Sequence, residues 1–502
     1  MALMTKEAYL SSLRELDHRV FIQGERVDNI PDHPISGPPA MALAEIYQQA
    51  GQEDMKQLFT AQSHLTGETI NRFTHIQQSV EDLTKKILML REMGRKTACC
   101  FQRCAGLDCM NTVYAITYDM DQELGTRYHN RFVDFMKYIQ SNDLVPAACM
   151  TDPKGDRSLP PSEQEDPDQY MHIVGEKNGG IVVRGAKLHI TGAVNSHELI
   201  VVPTRALREE DAEYAVSFAV PADTEGITFI YGRQPSDTRR LEDGRPDVGN
   251  LYYGGCEAMV TFDDVFVPEE RVFMKREYPM AGRLVELFAA HHRASYGGCK
   301  VGVGDVLIGA TAAIAEASHI KDKIAEMIHL NETLHAGALA STGKGYPTPS
   351  GAYAVDPLLA NVCKLNVTRF PFEISRLAQD ITGGILVTMP SLKDHENPEI
   401  GPYLKKYLGG MKGVDSEKRI RLLRLIENIT LGTGAVSYLT ESIHGAGSLL
   451  RLIENITLGT GAVSYLTESI HGAGSPQAQK IMITRLADIE SAKACAYKLC
   501  GI

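Results

Sequence analysis

Residues 180–193 read GIVVRGAKLHITGA, and the same texture returns at 197–204 (HELIVVPT), 214–222 (YAVSFAVPA), 226–232 (GITFIYG) and 257–272 (EAMVTFDDVFVPEERV). Short β-branched and aromatic runs, interrupted by Gly, Pro and Asp, predict strands joined by turns. An antiparallel sheet or small barrel is therefore expected between about Met150 and Val272. On either side the period changes. Glu81–Arg91 (EDLTKKILMLR) and Tyr128–Gln140 (YHNRFVDFMKYIQ) repeat apolar residues at three- and four-residue spacing, the pattern of amphipathic helices. Gly- and Ala-rich helical segments run from Tyr278 to the end. Helices, then strands, then helices is the order of a segregated α+β chain, not of alternating βαβ units. The expected division is an N-terminal helical domain at 1–149, a middle β domain at 150–275 and a C-terminal helical domain at 276–502.

Composition narrows the function classes. With 502 residues the chain has room for roughly two to four packed units. Its 43% hydrophobic and 23% charged residues exclude a disordered or fibrous protein. A net charge of -12 argues against nonspecific grip on nucleic acid or anionic lipid. No uninterrupted apolar run approaches the ~20 residues of a membrane helix, and the charged, amphipathic start points to the cytoplasm. The ten cysteines are too sparse for a disulfide scaffold, so they are core filler, nucleophiles or metal ligands.

One repeat stands out. Leu422–Ser448 (LLRLIENITLGTGAVSYLTESIHGAGS) recurs without a substitution as Leu449–Ser475. A solenoid needs at least three drifting copies, so this is a slip in sequence assembly or a very recent tandem duplication, with a duplication that serves a purpose as the other reading. Twenty-seven residues make about 7.5 helical turns, so a continuous helix carrying the insertion would turn its buried face outward. The GAGS breaker closing each copy makes it the expectation that one copy docks and the other bulges out or displaces it.

Two segments offer metal donors. In TACCFQRC, Cys100 and Cys104 stand four apart, which on a helix puts both sulfurs on one face. In HHRASYGGCK, His292 and Cys299 stand seven apart, two helical turns. Three thiolates and an imidazole suit zinc or an iron–sulfur cluster; cysteine pairs at this spacing are also common in plain cores. A second candidate is the turn-rich stretch Met150-Thr151-Asp152-Pro153-Lys154-Gly155-Asp156-Arg157 with His189, Ile190 and Thr191, whose hydroxyls and amides could bond a flat heteroaromatic ring at a sheet edge. Ile381-Thr382-Gly383-Gly384-Ile385 permits close backbone approach, as a glycine cap also does. Neither GxGxxG after a strand nor a Walker-type motif is present.

Taken together, TACCFQRC, MTDPKGDR, GAKLHITGAVNSHE, HHRASYGGCKVGVGDV, TRFPFEISRLAQDITGG and TESIHGAGSPQAQ resemble the 4-hydroxybutyryl-CoA dehydratase (vinylacetyl-CoA isomerase) family over essentially the whole chain outside the duplication. Its wider relatives are the flavin-dependent 4-hydroxyphenylacetate 3-monooxygenases. The resemblance implies an acyl-CoA dehydrogenase-like fold, a homotetramer, FAD and one 4Fe-4S cluster. It implies Cys100, Cys104, His292 and Cys299 as cluster ligands. It carries FAD contacts to Met150–Arg157, to His189–Thr191, and to Ile381–Ile385, the last reaching a neighbouring subunit's flavin. The implied active-site residues are His292, Tyr296, Glu257, Lys300, Gln102 and a C-terminal glutamate present twice here, as Glu441 and Glu468. Glu468 is slightly favoured, because only it precedes Pro476-Gln477-Ala478-Gln479.

The implied chemistry explains the two cofactors. In 4-hydroxybutyryl-CoA the thioester acidifies the α C–H, but the hydroxyl leaves from the γ carbon, so an unactivated β C–H must also break. One-electron oxidation of the enolate by flavin acidifies that position, while a cluster iron acts as Lewis acid on the hydroxyl. His292 is implied as the α-proton base, assisted by Tyr296 and Glu257. The product is crotonyl-CoA, reached from vinylacetyl-CoA by the same shifts without loss of water. Two other classes compete: an FADH2-dependent aromatic monooxygenase, which leaves the four donors without a task, and a non-enzymatic helical binding protein with structural zinc.

Overall fold

In the computed structural model, which describes residues 3–177, 179–242, 245–315, 320–409, 415–444 and 487–502, the strand-forming runs build two sheets. The six-stranded sheet runs in the order Glu25–Val27, Val20–Ile22, Ile227–Tyr231, Glu257–Pro268, Gly180–Thr191, His172–Lys177. The four-stranded sheet runs Val272–Lys275, Val216–Pro221, Glu198–Val201, Pro146–Cys149. Neighbours are antiparallel except Val20–Ile22 with Ile227–Tyr231 and Pro146–Cys149 with Glu198–Val201.

This differs from the expected single sheet or barrel within 150–272, since three strands come from earlier in the chain. Val20–Ile22 and Glu25–Val27 are three residues each, joined through Gln23 and Gly24 with φ of 54° and 89°, too short to show an alternation. Pro146–Cys149 is buried at every position and so carries no polar–apolar period. The two longest strands pair with Glu257 opposite Thr191 and Ala258 opposite Ile190, which sets 189–191 beside Glu257.

Helices make up most of the rest. The 37-residue helix Tyr278–Ile314 is surrounded by Val80–Thr97, Cys104–Leu124, Lys321–Gly343, Pro357–Val367 and Ile489–Leu499. It is long and apolar enough to cross a membrane, yet its apolar stretch is mostly buried inside the fold. Its glycines are there for contact. A Cβ at Gly302 would lie 2.1 Å from the Arg91 carbonyl oxygen, one at Gly94 would lie 2.5 Å from that of Cys299, and one at Gly297 would lie 2.4 Å from the Ala338 Cβ. Backbones therefore touch directly on both sides of Cys299, which leaves that residue little freedom to move.

The first copy of the repeat is docked. Its helix, Ser416–Thr430, is capped by Asp415, whose side chain accepts from the Lys418 amide, and buries Leu422, Leu423, Leu425, Ile426 and Ile429. A π-helical turn at Val436–Thr440 and a short helix Glu441–His444 follow. The second copy, Glu468 with it, lies outside the described residues.

Candidate active site

The central helix presents Phe288, His292, Tyr296, Cys299 and Lys300 along one face, the spacing of successive helical turns. They meet a cavity of about 390 Å³ closed by Cys100 and Cys104, by the strand residues His189, Ile190, Thr191 and Glu257, and by Val436–Glu441 of the docked repeat. All four expected metal donors line this one space. The local route to Cys100 and Cys104 differs from the single helical face expected. The Val80–Thr97 helix ends at Ala98 (φ 48°), Gln102 is also left-handed (φ 71°), and a new helix starts only at Cys104. The two sulfurs converge through a turn.

Burial decides the thiol chemistry. It pushes the Cys100 thiol well up, with Glu441 adding to the effect. Cys104 is pushed up because it donates to Cys299 and because it is buried; Cys299, accepting that bond, is held down. Three cavity-facing thiols, Cys104 and Cys299 buried and Cys100 partly so, ionise together only with a soft cationic centre between them, so the donor set fits such a group. Among the described residues no three His, Cys, Asp or Glu side chains converge tightly enough to hold one metal ion.

His292 is held on three sides. Its ring stacks on Phe288 (centroids 5.5 Å apart, 19° between planes) and meets Tyr296 edge-on at 4.8 Å. Its Nδ1 lies 2.9 Å from Oδ2 of Asp108, a residue the sequence reading missed. Asp108 is fully buried and takes bonds from Lys86 Nζ at 2.8 Å and Ser295 Oγ at 2.9 Å. Burial alone would raise its carboxyl, but Lys86 and His292 hold it well below the usual range. The available signal was its place four residues after Cys104, one turn along the same face.

Across the cavity two carboxyl groups face one cation. Lys300 Nζ donates to Glu441 Oε2 at 2.7 Å and also to the Ser437 carbonyl. Thr191 Oγ1 donates to Glu257 Oε2 at 2.9 Å. The other oxygen of each glutamate, Oε1, is buried and finds no donor. Burial and the neighbouring Glu441 raise Glu257 well above the ordinary carboxylate range. Glu441 suffers the same burial, but Lys300 and Glu257 hold it below that range. One proton on Glu257, shared toward Glu441, satisfies both orphaned oxygens. Lys364, also missed, lies 4.1 Å above the Tyr296 ring and donates to the Ser442 carbonyl at 2.5 Å. Burial, then Lys300 and Arg293, pushes it down to about 7.

Other expected residues divide. Met150, Thr151 and Lys154 join His189, Ile190 and Thr191 in lining the cavity. Asp152 instead pairs with Lys187 at 2.8 Å and accepts from the Met171 amide, pinning the loop to the sheet. Pro153, Gly155, Asp156 and Arg157 are not among the lining residues, and Asp156 accepts from the Ser158 amide. Gln102 forms part of the wall behind the cavity: it donates to the Pro39 carbonyl, accepts from Asn195 and packs against Gly192, where a Cβ would lie 2.6 Å from its own. Ile381–Ile385 ends the Phe370–Ile381 helix with Gly383 and Gly384 left-handed and exposed, off the cavity. Of the two candidate glutamates, Glu441 sits on Lys300, and Glu468 lies outside the described residues.

The chain matches the family described as 4-hydroxyphenylacetate 3-hydroxylase, its N-terminal part over residues 5–274 and its C-terminal part over 281–450 and 448–501. The second match breaks where the first copy of the repeat ends. Among curated proteins, 4-hydroxybutyryl-CoA dehydratase/vinylacetyl-CoA-Delta-isomerase of Clostridium aminobutyricum is 49% identical, covering 100% of both chains. The oxygenase component of 4-hydroxyphenylacetate 3-monooxygenase of Thermus thermophilus is 26% identical over 87% of this chain and 90% of its own. Among solved structures, an oxygen-tolerant archaeal 4-hydroxybutyryl-CoA dehydratase from N. maritimus superposes with a TM-score of 0.87 at 49% identity, covering 100% of this chain and 95% of that one. A 4-hydroxyphenylacetate 3-monooxygenase oxygenase component complexed with FAD shares the fold at a TM-score of 0.75 and 23% identity, over 98% and 99% of the chains. By these matches the chain belongs to the 4-hydroxyphenylacetate 3-hydroxylase family and, within it, to the 4-hydroxybutyryl-CoA dehydratases.

Proposed function

We propose that the chain dehydrates 4-hydroxybutyryl-CoA to crotonyl-CoA and isomerises vinylacetyl-CoA to the same product, in an acyl-CoA dehydrogenase-like fold holding FAD and a 4Fe-4S cluster. The observation that carries this is one cavity bounded by Cys100, Cys104, His292 and Cys299 on one side and by Glu257, Glu441, Lys300 and Tyr296 on the other. When bound, flavin supplies one-electron redox chemistry and the cluster a Lewis-acidic iron. Cys100, Cys104, His292 and Cys299 hold the cluster. Met150, Thr151, Lys154 and His189–Thr191 take the flavin along the sheet edge, and the Ile381–Ile385 turn, exposed at Gly383 and Gly384, suits contact with a neighbour's flavin in a cytoplasmic homotetramer.

The chain's own groups divide the proton work. With Nδ1 engaged by Asp108, His292 turns Nε2 to the cavity, and its one lone pair there would either ligate the cluster or, when released from it, take the α proton. Glu257 holds a proton at neutral pH and is a donor. Lys300 keeps Glu441 anionic, an acceptor that can exchange with Glu257. Tyr296, kept protonated by burial and Glu441, is a hydroxyl donor between His292 and the carboxyl pair. The monooxygenase reading gives three cavity-facing cysteines nothing to do, and structural zinc requires donors converging on one point.

The test is anaerobic purification with iron, sulfide and flavin determination, followed by assay of crotonyl-CoA formation from both thioesters. About four irons and four sulfides per chain with FAD and both activities are expected. Flavin without iron, with oxygen-dependent hydroxylation of a phenol, would overturn the proposal.

A further inference from the structure

Asp108 has no part in the proton steps above, yet it is the best-connected carboxylate beside the cavity. Its Oδ1 takes Lys86 Nζ at 2.8 Å, and its Oδ2 takes both His292 Nδ1 and Ser295 Oγ at 2.9 Å. Lys86 and Asp108 are both 0% exposed. A carboxylate paired with a lysine has only lone pairs to offer, so the hydrogen between Asp108 and His292 belongs to the imidazole. That fixes the tautomer: Nδ1 carries the hydrogen, and Nε2 keeps its lone pair for the cavity. Phe288 sets the plane of the ring, and the Asp108 bond sets its rotation within that plane.

The partners come from three helices, which carry Cys104, His292 and Cys299 and lead into the turn that holds Cys100. Lys86 lies on the helix that leads into Cys100, Asp108 on the helix that begins with Cys104, and His292 and Ser295 on the helix that bears Cys299. We infer that Asp108, paired with Lys86, is a positioning residue that presents His292 Nε2 to the cavity. This rests on the reading of His292 as a cluster ligand.

The test compares iron retention in four anaerobically reconstituted chains: wild type, Lys86→Met/Asp108→Leu, His292→Ala, and the triple variant. The charge-free Lys86→Met/Asp108→Leu pair is used because Asp108→Asn alone buries Lys86 unpaired and can prevent folding. Circular dichroism checks the fold, and Ser295→Ala, which leaves the ion pair in place, gives an intermediate point. Each sample is challenged with a chelator and followed by its visible spectrum. The double variant is expected to lose iron about ten-fold or more faster than wild type, the usual effect of removing a carboxylate behind a ligating histidine. In the His292→Ala background the same two substitutions should add nothing, because Asp108 acts through His292; a merely structural role would slow or speed loss there as well. A folded double variant that keeps iron within about two-fold of wild type, or an equal effect in both backgrounds, overturns the inference. A wild type that takes up no iron refutes the cluster reading itself, and this inference with it.

Discussion

Replacing Lys300 by Met tests the electrostatic design of the cavity. The Lys300 Nζ to Glu441 Oε2 contact is 2.7 Å, with Lys300 4% and Glu441 18% exposed at the side chain. At an effective dielectric near 20 the gross attraction is about 6 kcal/mol. Desolvation offsets part of it, and removing one partner of a buried pair costs about 3–5 kcal/mol; the exposure of Glu441 places the expected loss near about 3 kcal/mol. The loss should depend on pH. In the wild type Glu441 is held low, so its contribution is complete above the unfolded carboxylate pKa. Without Lys300 the same burial, beside Glu257, raises Glu441. The folded variant then binds a proton the unfolded chain has released, and its stability falls as pH rises from about 5 to 8. The gap to wild type therefore widens over that window. Chemical denaturation at three pH values measures it, and Lys300→Met/Glu441→Gln, which removes both charges, should recover most of the loss. A Lys300→Met chain within about 0.5 kcal/mol of wild type, or a gap that does not change with pH, would refute the reasoning, because that is how a solvated surface pair behaves.

Three further outcomes are expected. Glu441→Gln should lower crotonyl-CoA formation by about 100-fold or more, in the range of a lost positioned acid or base, while Glu468→Gln leaves it unchanged; the reverse ranking in a steady-state assay would transfer the site to the second copy. Gly302→Ala drives a methyl against the Arg91 carbonyl and the Gly94 Cα at 2.7 Å, so it should cost at least about 1–3 kcal/mol and reduce iron content, whereas Gly343→Ala, with nothing within 4 Å, should do neither. Lys364, near 7 when folded against about 10.4 unfolded, keeps a proton only in the unfolded chain between those values, so wild-type stability should climb with pH from 7 to 10 relative to Lys364→Met. A flat difference in denaturation midpoints would count against that burial.

The parts of this fold that sequence exposes are those whose residues repeat with a period or belong to a motif. The strand at 257–268 alternates over its first half, that at 180–191 is marked by its β-branched run, and the cysteines and His292 carry a recognisable spacing. Asp108 and Lys86 carry neither: each sits among apolar residues of an amphipathic helix, and their value arises only when three helices bring them within 2.8 Å. Lys364 likewise reads as a surface lysine of a short helix until the docked repeat covers it. The turn between Cys100 and Cys104 escaped because two non-glycine residues, Ala98 and Gln102, adopt left-handed backbone that composition does not announce. Gln102 stands in the motif, but its amide is spent on Pro39 and Asn195.

Why the first copy of an identical pair occupies the groove follows from what precedes it. The helix that docks begins at Ser416, before the repeat, and Ile420 is completely buried on it. Asp415 caps its first turn, and Arg424 reaches Asp247 at 3.0 Å. Shifted by 27 residues, the second copy would bring Arg451 to Asp247 equally well, but Gly447 would stand where Ile420 is buried and Ser442 where Asp415 caps. Exchanging a buried isoleucine for glycine costs at least about 2 kcal/mol, and a helix-interior glycine costs about 1 kcal/mol more. At about 1.4 kcal/mol per factor of ten, the flanking residues alone favour the first copy by more than a hundredfold. The residues before the repeat thus supply a packing term that favours Glu441 at the cavity.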